Sequence, residues 1–424
     1  MAKYYFSRIE GKSASFWTAT AICAALVLGW LIATVVRFLM GYYLTGMSNS
    51  VTWAGDKVIF VLFVGLSAGS LMISGLAVIF KQKEYKVLSR VAAFNSVIFM
   101  IGALGALISG WGRPDRIFLP FYMVNPRSLL SLNAFIYMSY ITIGIMYLWA
   151  QFKENDRWTT VMGTAAVVAA VFVHSGTGFI FGIINGRDMY FSSITPLAFV
   201  VAALSSGTAL AMVMLYLTFK YTKRALDNRF FLQLSKIMLG LMIFVFYLVT
   251  IEHLTHLYDP EFQQGEIFVM FGGSIFFTFV FWVQLYLVGL IIPIFILFNP
   301  KTKGRLGWIL AASVMHIIGV LGERMLFILP GQVLAQPIMP GYELSSGFQD
   351  GMNVMYIPRL IEWIQYAGIF ALIGLVYLLG LKLLPLMPRE GIFVKPVHEE
   401  EPAEEAEEEE SVGTVEGMAE GAGA

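Results

Sequence analysis

The 424-residue chain has one cysteine, Cys23. A single thiol excludes a disulfide framework, and it excludes a zinc cluster or an iron–sulfur centre ligated by this chain alone. Charge is also scarce, at 13% of residues against 58% apolar ones. A soluble globular chain carries about 25% charged residues, so this composition excludes that class. No Lys or Arg lies beyond Lys395, where eleven of the 28 acids crowd between Glu399 and Glu420. The formal net charge of zero is therefore the sum of a body of net +11 and an acidic tail. Nothing in this distribution offers a basic face for nucleic acid.

What is present is a series of apolar runs. A helix needs about 20 mostly apolar residues to cross a bilayer. Ten such runs lie near 16–38, 57–80, 90–110, 128–150, 158–182, 192–219, 232–257, 267–298, 306–329 and 361–384. The expected fold is all-α and integral to the membrane. The eighth run is long and holds Pro293, which predicts a kink or a strong tilt. The first run follows Lys3, Arg8 and Lys12 but is too long for a signal h-region, so it reads as a retained anchor.

Ten spans place both termini on one side. Lys and Arg concentrate in the termini and the loops of that side, which the positive-inside rule assigns to the cytoplasm. The expected location is the cytoplasmic membrane. Residues 1–15 form a cytoplasmic segment, 16–390 the transmembrane domain and 391–424 a solvated acidic tail. The 330–358 loop has no Lys or Arg and faces outward.

An internal echo divides the domain. Leu66-Ser67-Ala68-Gly69-Ser70 recurs as Leu204-Ser205-Ser206-Gly207-Thr208, and His174 recurs as His316. Gly65-xxx-Gly69 and Ala203-xxx-Gly207 are small-xxx-small pairs that allow close helix approach in lipid. Two tandem four-helix bundles are expected, roughly 57–182 and 192–329, flanked by helices 16–38 and 361–384.

Ionisable groups inside a membrane are costly and mark candidate function. They collect toward the outward ends of the spans: Arg113, His174, Glu252, His253, His256, Glu323 and Arg324, with Asp115, Arg116, Asn125, Arg127, Arg187 and Asp188 in the connecting segments. Groups of this kind suit a quinone head group, whose two oxygens need donors and a proton acceptor. His174 is the candidate ligand to a quinone oxygen, with Asp115 and Glu323 as candidate acids and bases. Arg113, Arg116, Asn125, Arg127, Arg187 and His316 are candidate binding residues. Each has a plainer reading, as packed histidine, interfacial ion pair or lipid anchor. Two other functions compete. A secondary transporter of a small anion would use the internal repeat. A haem b cytochrome would need two facing imidazoles on different helices.

Gly112-Arg113-Pro114-Asp115-Arg116, followed by Asn125-Pro126-Arg127-Ser128, resembles the signature of the NrfD/PsrC family, the membrane subunits of polysulfide reductase-like complexes. Ile9-Glu10-Gly11-Lys12-Ser13, Thr45-Gly46-Met47-Ser48-Asn49 and Gly176-Thr177-Gly178-Phe179-Ile180-Phe181-Gly182 resemble its DsrP branch, from the DsrMKJOP complexes of dissimilatory sulfur metabolism. Tyr356 to Glu362 and Leu383 to Pro388 are similar to the uptake-hydrogenase branch. The resemblance implies a haem-free subunit that exchanges electrons between menaquinol or menaquinone and an extracytoplasmic, ferredoxin-like iron–sulfur subunit, beside other membrane and cytochrome subunits. Relatives often carry an acid two positions before the signature Gly112, where this chain has Gly110. Asp56 and Asp115 are the acids that stand to replace it.

Overall fold

The structure, a computed structural model, describes residues 6–79, 86–184, 186–222, 228–334 and 353–388. The acidic tail and most of the 330–358 loop lie outside the described residues. Ten helical stretches are long and apolar enough to cross a membrane. In chain order the helices are α1 (Ala14–Met40), α2 (Gly55–Ile79), α3 (Lys86–Ser109), α4 (Leu119–Tyr122), α5 (Leu129–Phe152), α6 (Asp156–Gly182) and α7 (Thr195–Thr222). Then follow α8 (Asn228–Tyr258), α9 (Gln263–Met270), α10 (Ile275–Phe279), α11 (Ile292–Phe298), α12 (Leu306–Ile328), α13 (Pro330–Val333) and α14 (Leu360–Leu383). The chain is an all-α, multi-pass integral membrane protein. Beside the helices, a two-residue strand β1 (Phe6–Ser7) pairs antiparallel with β2 (Met387–Pro388). Both ends of the described chain therefore lie at one face, called here the terminal face. The opposite face carries residues 110–128 and is called the loop face.

Polar caps start several helices. The side chains of Ser13, Ser128 and Asn155 each accept a backbone N–H from the first turn of α1, α5 and α6. Gly41, at φ 99°, ends α1 in a conformation that favours glycine.

At the centre, α2 packs on α3, α6 and α7, and it is buried along nearly its whole length. The two small-residue pairs seen in the sequence meet here. A Cβ on Gly69 would overlap the Ala203 carbonyl and the Gly207 backbone, and a Cβ on Gly207 would overlap the Gly69 backbone. Only glycine at both positions lets α2 and α7 approach so closely. α12 also packs on α2 and α7, while α5 packs on α6. α1 lies at the periphery against α14, which in turn touches α3.

The eighth span differs from its expected form. Residues 263–270 form the separate helix α9, because Gly272, at φ 98°, turns the chain before the span starts at Ile275. Between Val280 and Ile291 the span adopts wide i→i+5 turns before Pro293. Proline has no N–H to return to the carbonyl four residues earlier, that of Gly289. The His316 Nδ1 lies 2.9 Å from that carbonyl oxygen. A second glycine contact, Gly289 against Gly319, brings α12 close enough for this bond.

Candidate functional site

The signature residues build a loop before they build a site. Pro114 opens a single tight turn, Pro114–Arg116. Arg113 donates to Asp115 twice, Nε to Oδ1 at 3.0 Å and Nη2 to Oδ2 at 2.8 Å. The hydrogen bond from Arg113 holds the Asp115 carboxyl below its usual range. Both side chains of this pair are exposed. Asn125 accepts the Arg127 backbone N–H at 3.0 Å, and Ser128 caps α5. The Asn-Pro-Arg-Ser run is thus a turn followed by a helix start.

Beneath this loop lies a cavity of about 680 Å³ enclosed by α2, α3, α4, α5 and α6. Its polar wall includes Lys57, Arg116, Asn125, Tyr137 and Thr177, and its aromatic wall Trp53, Trp111 and Phe181. The lining residues Leu130 and Met138 on α5 are themselves exposed, so the cavity reaches the lipid-facing surface. Tyr137 Oη and Thr177 Oγ1 are 2.9 Å apart. Because Thr177 Oγ1 donates to the Val173 carbonyl, the tyrosine is the donor of that pair. Lys57 Nζ is 2.8 Å from Asp56 Oδ2. Asp56 is buried, and its Oδ1 makes no hydrogen bond among the described residues.

Of the sequence candidates, Arg116 and Asn125 line the cavity, while Arg113 and Asp115 pair on the exposed loop above it. Arg127 is exposed. Arg187 donates to the Gly331 carbonyl at 2.6 Å and so ties the α6–α7 connection to α13. His174 is fully buried on α6, one turn before the cavity-lining Thr177. A Cβ on Gly65 would lie 3.1 Å from its ring, and the Phe199 ring lies 5.4 Å away on another side. Among the described residues, neither His174 nitrogen has a hydrogen-bond partner. By contrast, His316 is bonded at both nitrogens, to the Gly289 carbonyl and, at 2.8 Å, to Ser205 Oγ.

Glu323 belongs to a second polar group. Its carboxylate is 3.3 Å from Arg324, whose guanidinium stacks 3.7 Å over the Phe199 ring. His253 and His256 on α8 both reach Glu266 of α9, at 3.0 and 3.3 Å. Thr195 donates to Glu252 at 2.9 Å. A small cavity of about 50 Å³ touches Glu252, His253, His256, Glu266 and Glu323. Among the described residues, no three or more His, Cys, Asp or Glu side chains gather as a metal ion requires.

Tyr137 was not among the residues singled out from the sequence. Its signal is the spacing of Tyr137, Tyr140 and Tyr147 along one face of α5, each hydroxyl reaching a polar partner on α2, α3 or α6.

A family profile described as polysulphide reductase, NrfD matches residues 43–336. The chain is 38% identical to the Hdr-like menaquinol oxidoreductase integral membrane subunit of Archaeoglobus fulgidus, over 91% of this chain and 98% of that one. It is 30% identical to a putative dimethyl sulfoxide reductase membrane subunit of Halobacterium salinarum, over 86% of this chain and 90% of the relative. It is 25% identical to a selenate reductase subunit of Mesobacillus selenatarsenatis, over 87% and 93%. With its signature loop, its ten spans and a profile match over most of its length, the chain belongs to the NrfD family of polysulphide reductase-type membrane subunits.

Proposed function

We propose that this chain is the quinone-interacting subunit of a respiratory redox complex and that the 680 Å³ cavity receives the quinol head group. The observation that carries this reading is the cavity's two-sided character. Its polar end sits under the signature loop, and its apolar end opens to lipid past Leu130 and Met138, where an isoprenoid tail would lie. The relatives named for menaquinol oxidation and for reductase complexes support the same class.

Oxidation of a quinol releases two electrons and two protons. Lys57, on the cavity wall, donates to one ring oxygen, and the proton leaving that oxygen passes along the ion pair to Asp56, buried behind it. Tyr137 and Asn125 orient the ring. His174, one turn deeper behind the cavity-lining Thr177, takes the second proton across that wall. The electrons leave to an iron–sulfur centre of a ferredoxin-like partner docked over Arg113, Asp115, Arg116 and Arg127. In this orientation the loop face is extracytoplasmic and both termini are cytoplasmic. The terminal enzyme belongs to sulfur respiration in this reading. Relatives named for selenate and dimethyl sulfoxide reductases are consistent with a terminal acceptor set by the partner.

The test is turnover of a soluble naphthoquinol by the purified complex. Asp56→Asn and His174→Ala should each lower it by about 10²-fold or more. Wild-type turnover in both variants would overturn this proton route. Uptake of an anion by proteoliposomes without a redox partner would favour a transporter instead.

A further inference from the structure

The cavity wall depends on a residue from the far half of the chain. Gln332 lies on α13, just beyond α12, and is 4% exposed. Its Oε1 accepts the backbone N–H of Thr52 at 2.9 Å and that of Trp53 at 2.7 Å. Its Nε2 donates to the Trp53 carbonyl at 2.9 Å and to the Ile328 carbonyl at 3.0 Å. The Thr52 hydroxyl also donates to Oε1, at 3.4 Å, so every donor and acceptor of one amide is used, and three of the five bonds hold the backbone of residues 52 and 53. Trp53 lines the head-group cavity.

The Trp53 ring is held as firmly as its backbone. Tyr190 stacks on it, with centroids 6.2 Å apart and planes 27° apart, and Phe181 meets it edge-on at 5.3 Å. Tyr190 is fixed in turn by a 2.6 Å bond from its hydroxyl to the Ile328 carbonyl, which also accepts from Gln332. Gly331 leaves room for this ring, since a Cβ there would lie 2.7 Å from Tyr190 Cε1. Backbone and ring of Trp53 are therefore anchored to the same short segment, 328–332.

We infer that Gln332 is a positioning residue for the quinol site: it fixes Trp53 at the depth that selects the size of the head-group ring. The inference rests on the assignment of the cavity to quinol. A flat, fixed indole wall discriminates between a two-ring and a one-ring quinol through the area it covers. A Trp53 released from its backbone anchor lets the wall follow either ring, and the discrimination falls.

The experiment uses the intact complex, purified in detergent, with soluble naphthoquinol and benzoquinol analogues and an artificial one-electron acceptor. The quantity read is the ratio of kcat/KM for the two quinols. Gln332→Ala should move this ratio by about tenfold, mainly through KM. Gln332→Glu keeps the two bonds accepted from Thr52 and Trp53 and should give an intermediate shift. Trp53→Phe should move the ratio by itself, and Gln332→Ala added to Trp53→Phe should add little. An unchanged ratio in an assembled Gln332→Ala complex overturns the inference, as does full additivity in the double variant. If Gln332→Ala does not assemble, Gln332→Glu and Trp53→Phe decide it, and unchanged ratios in both overturn it. A wild-type complex that oxidises neither quinol fails the functional reading, and this inference with it.

Discussion

Asp56 occupies the space that a side chain at residue 110 would need: a Cβ on Gly110 would overlap the Asp56 carboxylate and the Lys57 amine. The carboxylate that lies beside position 110 thus comes from α2. Of the two acids that stood to replace it, Asp56 is buried at this point, whereas Asp115 is paired with Arg113 on the exposed loop.

Gly110→Ala is the direct probe of this arrangement. The methyl group meets the ends of two side chains, not backbone, so the complex should still assemble. The displaced ion pair should cost quinol turnover by about tenfold or more. A variant that turns over like wild type would mean that the Asp56–Lys57 ion pair beside the cavity takes no part in turnover.

Gly207→Val tests the helix contact at the centre. The side chain would meet the Gly69 backbone, which cannot step aside without separating α2 from α7. Overpacking of this kind should cost about 3 kcal/mol or more. The measurement is the amount of complex recovered and its unfolding temperature in detergent; a normal yield and temperature would contradict the contact.

His316 and His174 should separate by phenotype. His316→Ala leaves the Gly289 carbonyl and Ser205 without this partner inside the bundle. The expected loss is about 1–3 kcal/mol of stability, with turnover per assembled complex retained. His174→Ala should show the reverse, with assembly retained and turnover lost. Equal loss of turnover in both would return His316 to the candidate site.

The Glu266 carboxylate, on α9 outside the spans, gives a pH signature. Burial alone would raise its pKa. The charges and hydrogen bonds of His253 and His256 outweigh burial and hold it at about 2, below its ordinary 4.5. Its stabilising effect is full above pH 4.5 and is lost as pH falls toward about 2. The amount is on the order of 3 kcal/mol. Melting curves between pH 6 and 3 should decline in the wild type and flatten in Glu266→Gln. Parallel curves would show that Glu266 is not ionised in this way.

The spans were readable from the sequence because an apolar run of membrane length rarely folds as anything but a membrane helix. Pro293 announced an irregular helix but not its form, since the wide turns depend on Gly319 and His316 from another helix. The loop candidates Arg116 and Asn125 could be named because the signature is local. Gln332 could not: one amide beyond Pro330 carries no pattern, and its role exists only once residues 52 and 53 fold against it. His316 and His174 look alike as sequence. Their difference, bonded at both nitrogens against neither, is a property of packing.

The pairing of α1 with α14 has a consequence for biosynthesis. α1 leaves the ribosome well before α14, the span on which it docks. Until then Arg37, nearly wholly buried on α1, lacks Gln365, which accepts from its guanidinium at 3.2 Å, and β1 lacks β2. A guanidinium without its partner at the membrane marks an unfinished chain. Chains stopped before Leu360 should therefore be short-lived in a pulse–chase experiment, and supplying α14 as a separate peptide should extend their lifetime.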